Sequence, residues 1–337
     1  MRILAIDLGG TKTATALCTL EQSKVKIQDR LTIQSRDYPD FYMMLNEVRQ
    51  HYVNIKFDVI GIGIAGPVRG SFPIQSGTVT NLKWTCDSHG ISSKFENTPV
   101  FICNDMQSHG WGLINLSPHQ LLTLNPGQLE LSTKALIAAG TGLGESVIGW
   151  NGTQHFPMGG EGGHATFSPV QPDEIDLYQM LQQKFDGHVS WERVLGGFDG
   201  FRNIAQFYMQ KFPESAKAFL DVQSSHDDWG SLISSRYSSN CLISKSTLDL
   251  YSTLLGREAG NLALKCMPYG GVYLGGGIPL KIREPLQKNF MNGFLDKGRF
   301  RSTLQDIPVF IINECDNGLL GAAYAAVSAA NIKSKSN

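Results

Sequence analysis

The sequence predicts a two-lobed α/β protein, and three observations predict it. The chain has 337 residues, too many for one hydrophobic core at ~100–200 residues per domain. Its first hundred or so residues read as three strands, a helix and further strands. A strand, a Gly-rich turn and a returning strand then come round again at 134–150, much as at 3–20, so one plan is used twice.

The elements follow in order. Ile3-Leu4-Ala5-Ile6 is an apolar run stopped by Asp7 and a Gly pair, Ala14–Leu20 is a second run, and Lys24–Ile33 alternates apolar and polar. Three strands with short links make an antiparallel meander. Asp37-Tyr38-Pro39 opens a helix with Pro39 in its first turn and Phe41, Met44, Leu45 and Val48 at helical spacing. Val59–Ile64 is an apolar strand that gives way to Gly66-Pro67, and Val100–Cys103 is another, stopping at Asn104-Asp105. This is the order of a ribonuclease-H-like α/β lobe. In the second round, Lys134–Ala139 leads through Gly140-Thr141-Gly142-Leu143-Gly144 to a strand at Ser146–Trp150. Helices are expected from Asp173 to Phe185, Asp199 to Lys211 and Ser246 to Cys266, and strands at Val272–Leu274 and Pro308–Ile312. An Ala-rich helix closes the chain at Gly318–Ala330, and Lys333–Asn337 is expected to fray. The expected division is a small domain of residues 1–110 plus 307–337 and a large domain of 111–306.

Composition removes whole classes of function. Lys and Arg total 29 against 30 Asp and Glu, a net charge of −1, which argues against a nucleic-acid binder working through a global basic field. Hydrophobic residues at 42% and charged residues at 18% exclude a disordered acidic chain. The six cysteines are scattered, with no CxxC and no zinc-like spacing, which suits a reducing compartment. The apolar start is too short for a signal-peptide core of ~7–15 residues, and no run approaches the ~20 residues of a membrane span. A soluble, cytoplasmic protein without nucleic-acid or membrane partners is expected.

Six segments carry candidate chemistry. Asp7-Leu8-Gly9-Gly10-Thr11-Lys12 follows a strand, and its turn suits backbone N–H groups converging on phosphate oxygens; a plain Gly hairpin explains it equally well. Asp7 is suited to hold Mg²⁺ through water. Gly140–Gly144 is a second turn of the same type, and Gly270-Gly271 with Gly275-Gly276-Gly277-Ile278 a third Gly cluster, suited to seat a flat base or simply to turn. Asn104-Asp105 ends a strand, where ligand crevices of open α/β sheets lie; Asp105 is placed to accept a hydroxyl proton, or the pair caps a helix. Gly159-Gly160-Glu161-Gly162-Gly163-His164 is unexplained by helix or strand propensity and suits either a ligand rich in hydroxyls or a flexible loop. Glu192, in the segment Trp191–Gly197, reads as a ligand or as a surface helix-start acid.

The joint order of these segments resembles the sugar-kinase, actin and heat-shock chaperone ATPase superfamily, a two-lobed ribonuclease-H-like (actin-like ATPase) fold with small and large α/β domains and an interlobe cleft. Within it the chain resembles the bacterial glucokinase family from Asp7 to about Ala326. The residues that carry the resemblance are DLGGTK at 7–12, IAGPV at 64–68, TNLKW at 80–84, ND at 104–105, AAGTGLG at 138–144, GGEGGH at 159–164, WERVLGG at 191–197, GGVYLGGGI at 270–278, DKGRF at 296–300 and DNGLLGAA at 316–323. The resemblance implies a cytoplasmic, glycolytic kinase that uses ATP and Mg²⁺ to phosphorylate glucose on its 6-hydroxyl, with the lobes closing over the sugar. It implies that Asp105 is the general base and that Asn104, Asp105, Glu161, His164 and Glu192, with Asn81 beside them, bind the sugar. It implies that Ile6, Asp7, Leu8, Gly9, Gly10 and Thr11 hold ATP phosphates together with Gly140, Thr141, Gly142 and Gly144, and that Gly276 and Gly277 border the adenosine. Homodimers are common in such families; the sequence itself fixes no oligomeric state.

Some features depart from the pattern. Lys12 stands where this family often has Asn, and GGTK is frequent in a related kinase family that includes repressors. No Cys-rich zinc motif follows His164, and with the first strand starting at residue 2 no helix-turn-helix is expected before it. Glu145 follows the second Gly turn where a small residue is usual. The Ser- and Asp-rich segment 211–245 matches little and reads as an insertion. The alternatives to a glucokinase are a kinase for another hexose or an N-acetylated amino sugar, and a sugar-sensing regulator without turnover.

Overall fold

The structure, a computed structural model, describes residues 1–223, 228–239 and 241–335. Parts of the 211–245 segment and the last two residues of the tail lie outside the described residues. Two compact units make up the chain: Met1–Pro118 with Asn151–Gly160 and Glu314–Asn337, and His119–Trp150 with Glu161–Asn313.

In the first unit β1 (Arg2–Leu8), β2 (Lys12–Glu21) and β3 (Lys24–Gln34) form the expected antiparallel meander. The helix that follows, α1 (Phe41–His51), starts later than Pro39 because Asp40 is its cap: the Asp40 side chain accepts from the Met43 N–H at 2.9 Å. Asp37 belongs instead to a short 3₁₀ turn, Ser35–Asp37. Phe41, Met44, Leu45 and Val48 are all buried, as their spacing requires. β4 (Val59–Ile64) runs parallel to β1. β5 (Val68–Ser71), β6 (Ile74–Val79) and β7 (Trp84–Asp87) then form a separate small antiparallel sheet that the sequence does not announce. The reason is a reversed pattern: Ile74 is 81% exposed while Gln75 is buried. After α2 (Ser88–Lys94), β8 (Val100–Asn104) pairs parallel with β4 and completes the order β3-β2-β1-β4-β8.

β8 is an edge strand, and Gln75 covers part of its edge. The Gln75 amide donates to the Ile102 carbonyl at 2.6 Å and accepts from the Ile102 N–H at 3.0 Å. A buried edge would otherwise leave peptide groups unpaired at a cost of about 1–3 kcal/mol each. α3 (Asp105–Ile114) follows β8 without a break.

In the second unit β9 (Leu121–Asn125), β10 (Lys134–Ala139) and β11 (Leu143–Trp150) come first. β12 (His155–Met158) lies in the segment that belongs to the first unit. Then come α4 (Pro172–Lys184), α5 (Trp191–Leu195), α6 (Gly197–Lys211), α7 (Pro213–Gln223), α8 (Trp229–Ser235), α9 (Leu242–Cys266), β13 (Val272–Gly275), α10 (Gly277–Lys281), α11 (Arg283–Phe294), α12 (Arg301–Gln305) and β14 (Val309–Ile312). The 211–245 segment is thus helical where it is described. Strand order is β11-β10-β13-β14-β9, with β10–β11 antiparallel and β13 and β14 parallel to β10. In the first unit β1 holds the same relations to β2, β4 and β8, so the repeated sequence pattern is a repeated topology. In this unit buried Arg257, 3% exposed, pairs with buried Glu174 at 2.9 Å and with part-exposed Asp296 at 2.7 Å.

α13 (Asn317–Lys335) returns the chain to the first unit. It packs on α3 and β4 through glycines. A Cβ on Gly61 of β4 would lie 2.0 Å from the Ala322 carbonyl oxygen, one on Gly112 of α3 2.2 Å from that of Asn317, and one on Gly321 1.8 Å from that of Ser108. No side chain fits these contacts. Among the described residues no helix is long and apolar enough to cross a membrane.

Gly321→Ala is therefore expected to lower stability, by about 1–3 kcal/mol or more as overpacked cores do, read as a lower urea midpoint at unchanged m-value.

Candidate active site

Register places the first unit's functional residues. Leu8 of β1 is opposite Ile64 of β4, and Ile64 is opposite Asn104 of β8. The three parallel strands end level, so Asp7–Thr11, Ala65-Gly66 and Asn104-Asp105 leave the sheet at one edge. Carboxyl ends of parallel strands are where such sheets bind ligands.

The first Gly turn is a hairpin closed by the Gly9 N–H to the Lys12 carbonyl at 3.2 Å. Ser35 braces it: its N–H donates to the Thr11 carbonyl at 2.9 Å and its hydroxyl to the Gly9 carbonyl at 2.8 Å. Asn81 packs against the turn, 2.9 Å from where a Gly10 Cβ would stand. Asn104 is fixed at both ends, its amide donating to the Gly66 carbonyl at 3.2 Å and its oxygen accepting the Met106 N–H at 2.9 Å. Asp105 also accepts that N–H, at 2.8 Å, and opens α3, a favourable place for negative charge. Strand end and helix cap are thus one and the same position.

Asp7 is held in a place that disfavours a bare carboxylate; burial pushes its pKa up to about 6. A Cβ on Gly318 would come within 3.0 Å of an Asp7 carboxylate oxygen and 2.9 Å of His109 Nε2. His109, one turn after Asp105, has its pKa lowered by burial, with Asp105 opposing. Among the described residues no group of three or more His, Cys, Asp or Glu could hold a metal ion. Asp7 alone suits only a Mg²⁺ ion carried mainly by phosphates and water, whose charge would offset the burial of the carboxylate.

In the second unit, Ala138 of β10 is opposite Gly275 of β13. The turns at 140–144 and 276–278 therefore also leave their sheet together. Gly276 has φ +82°, and a Cβ there would lie 2.1 Å from the Ala139 carbonyl oxygen, so a side chain is excluded on both counts. Gly140, Thr141, Gly277 and Ile278 line one cavity of about 260 Å³. Phe201, Asp228, Ser231 and Lys281 are also part of its wall. No sequence motif points to these four: Asp228 and Ser231 sit in the segment that matched little, and Phe201 and Lys281 lie just beyond the motifs at 191–197 and 270–278. Asp228 is not random there: it caps α8, accepting the Ser231 N–H at 3.1 Å.

Glu192 joins this turn to the Gly-rich acid loop. Its Oε2 accepts the Leu143 N–H at 3.1 Å, and its Oε1 is 3.9 Å from His164 Nδ1. His164 Nε2 is in turn 3.9 Å from Glu161. The loop closes as a 3₁₀ turn, Gly162–His164, and the Trp191 N–H donates to the Ala165 carbonyl at 2.9 Å. Glu161 and His164 remain more than half exposed. Three groups that accept or donate hydrogen bonds thus stand together on short, braced backbone.

Within the first unit, then, the structure brings together Ile6–Thr11, Asn81, Asn104 and Asp105. Within the second it brings together Gly140–Gly144, Glu161, His164, Glu192, Gly276 and Gly277. Glu145, unexplained by sequence, is buried beneath the acid loop rather than exposed to a phosphate: a Cβ on Gly162 would lie 2.2 Å from its Oε2.

The family model described as Glucokinase matches residues 4–329. A glucokinase of Trichormus variabilis is 34% identical over 96% of this chain and 98% of its own length. A solved glucokinase from an Antarctic psychrotroph has 25% identity and a TM-score of 0.80, covering 97% of this chain and 99% of that one. A solved glucokinase of Balamuthia mandrillaris, in complex with glucose, shares the fold at TM-score 0.80 and 20% identity, with 97% and 93% covered.

Steric contacts set apart the glycines of the second turn. A Cβ at Gly142 would fall 2.4 Å from Glu192 Oε2, whereas one at Gly140 meets nothing within 4 Å. Gly142→Ala should push Glu192 off the Leu143 N–H and cost about 1–3 kcal/mol. Gly140→Ala should stay within about 0.5–1 kcal/mol of the parent; paired urea titrations measure both.

Proposed function

The chain belongs to the glucokinase family, and from that premise we propose that it transfers the γ-phosphoryl group of Mg-ATP to the 6-hydroxyl of D-glucose, giving glucose 6-phosphate and ADP. The observation that carries this reading is the family match over residues 4–329. The fold is that of the actin-like ATPases, and the protein is an ATP-dependent sugar kinase.

In this proposal Asp105 takes the proton of the 6-hydroxyl as the hydroxyl oxygen attacks. Its backbone is fixed by β8 behind it and α3 ahead, which supports a role that demands position. Asn104 and Asn81 of the first unit and Glu161, His164 and Glu192 of the second are assigned to the sugar. Carboxylates accept from hydroxyls and imidazole donates, so one sugar can be read at several positions. The Gly9–Thr11 and Gly140–Gly144 turns are assigned to the phosphates and the cavity beside Gly277 to the adenosine. Mg²⁺, with Asp7 reaching it through water, would neutralise developing phosphate charge when bound. Phosphoryl transfer passes through a loose transition state, so these residues act mainly by placing the hydroxyl in line and lowering charge. The protein is proposed to act in the cytoplasm, feeding glycolysis.

A coupled assay for glucose 6-phosphate tests the reading, with glucose, mannose and N-acetylated amino sugars as acceptors. Glucose should give the highest kcat/KM. Asp105→Asn should lower kcat by about two to four decades, the worth of a general base. Turnover confined to another hexose moves the assignment to that sugar. ATP binding without turnover of any sugar would overturn it in favour of a sensor.

A further inference from the structure

Glu145 and Glu258 form a buried acid pair that the proposed reaction leaves unused. Glu145, on β11, is 5% exposed and Glu258, on α9, is 1% exposed. The two carboxyls are close enough to act on each other, the charge of Glu258 being one cause that raises Glu145. Glu258 Oε2 accepts from the Asn261 amide at 2.7 Å. Glu145 Oε1 and Glu258 Oε1 are both fully buried and meet no N–H or hydroxyl donor. Two carboxylates have only acceptors to offer, so a hydrogen bond between them requires a proton on one. One shared proton satisfies both orphaned oxygens at once.

The pair also has a load to carry. Glu145 Oε2 lies directly under Gly162, with no room for a Cβ. Gly162 stands between Glu161 and His164, the residues assigned to the sugar. We propose that Glu145 and Glu258 share one proton and that this acid pair is the seat that positions the Glu161–His164 loop for the hexose. The second half rests on the function proposed above.

The surroundings set the pH range. Burial, then the charge of Glu258, push the Glu145 pKa up to about 8, while Lys265 opposes. Burial raises Glu258 as well, against Asn261, Lys265 and Lys297. Cys266 faces Glu145 from the same helix, and its thiol is pushed up to about 11. Lys297, after α11, donates to Asn261 at 2.7 Å and is pushed down to about 8 by burial. As pH rises past about 8 the shared proton leaves, the two carboxylates repel, and Gly162 loses its seat.

The test compares wild type, Glu145→Gln and Glu258→Gln. A Gln amide donates in place of the shared proton, so both variants keep the hydrogen bond and lose the titration. Wild-type KM for glucose should rise severalfold between about pH 7 and about pH 9.5 while kcat changes less, and both variants should stay flat over that range, with the wild-type KM at about pH 7. Infrared spectra at about pH 7 should show a protonated-carboxyl band in wild type that both variants lack. Thermal melting adds a reading independent of activity. The raised folded pKa of Glu145 gives a stability present below its ordinary 4.5 and lost as pH rises to about 8. Glu145→Gln should escape that loss.

A KM that rises equally in Glu145→Gln, or is already raised in it at about pH 7, overturns the seat. Absence of the infrared band in wild type overturns the shared proton. If no sugar is turned over, the proposed function and the loop's role fall together, and the band and the melting profiles still decide the proton.

Discussion

Close backbone contact at glycine is the constraint on which the first unit depends. Gly61, Gly112 and Gly321 let β4, α3 and α13 meet with carbonyl oxygens where side chains would stand. Gly63 does the same toward Ser108, 2.8 Å from a would-be Cβ. Contacts this tight hold α3 in one orientation against the sheet. The helix begins at Asp105, so the acid inherits its position from packing a full turn or more away. The level ends of β1, β4 and β8 then deliver Asp7, Gly66 and Asn104 to the same edge.

The second unit solves the same problem with a carboxylate. Glu192 bonds the Leu143 N–H and faces His164, so the Gly turn and the Gly-rich loop share one anchor. Glycine is required around it, since Gly142 and Gly196 both approach the Glu192 side chain within 3 Å of a would-be Cβ. Beneath the loop, Glu145 takes the place that Gly162 leaves. At these positions glycine is a packing requirement, and at nine of the described residues, Gly276 among them, glycine also takes a positive φ.

Much of this was legible in sequence. Apolar runs ending in Gly or Asn-Asp gave the sheet edges, and helical spacing gave α1 and α9 because each buries one or more clear apolar stripes. What was not legible depends on distant partners. Gln75 reads as a surface residue, yet it pairs with Ile102 and closes an edge. Ser35 reads as a loop residue, yet it braces the first turn. Glu145 reads as a misplaced charge near phosphates, because nothing local reveals Glu258. Asp40 displaced the expected helix start from Pro39, since a capping side chain outweighed the proline signal. The wall formed by Asp228 and Ser231 lay in a segment without matching motifs, and only the fold brings it beside Gly140 and Gly277.

The central claim is that, in the proposed reaction, Asp105 serves first to move a proton and only second to hold the sugar. Calorimetric titration of glucose into Asp105→Asn tests it most directly, beside the turnover of the same preparation. The account predicts a dissociation constant within about tenfold of wild type, a difference of about 1.4 kcal/mol, with turnover nearly abolished. A loss of binding that matches the loss of turnover would contradict it and make Asp105 a sugar ligand first.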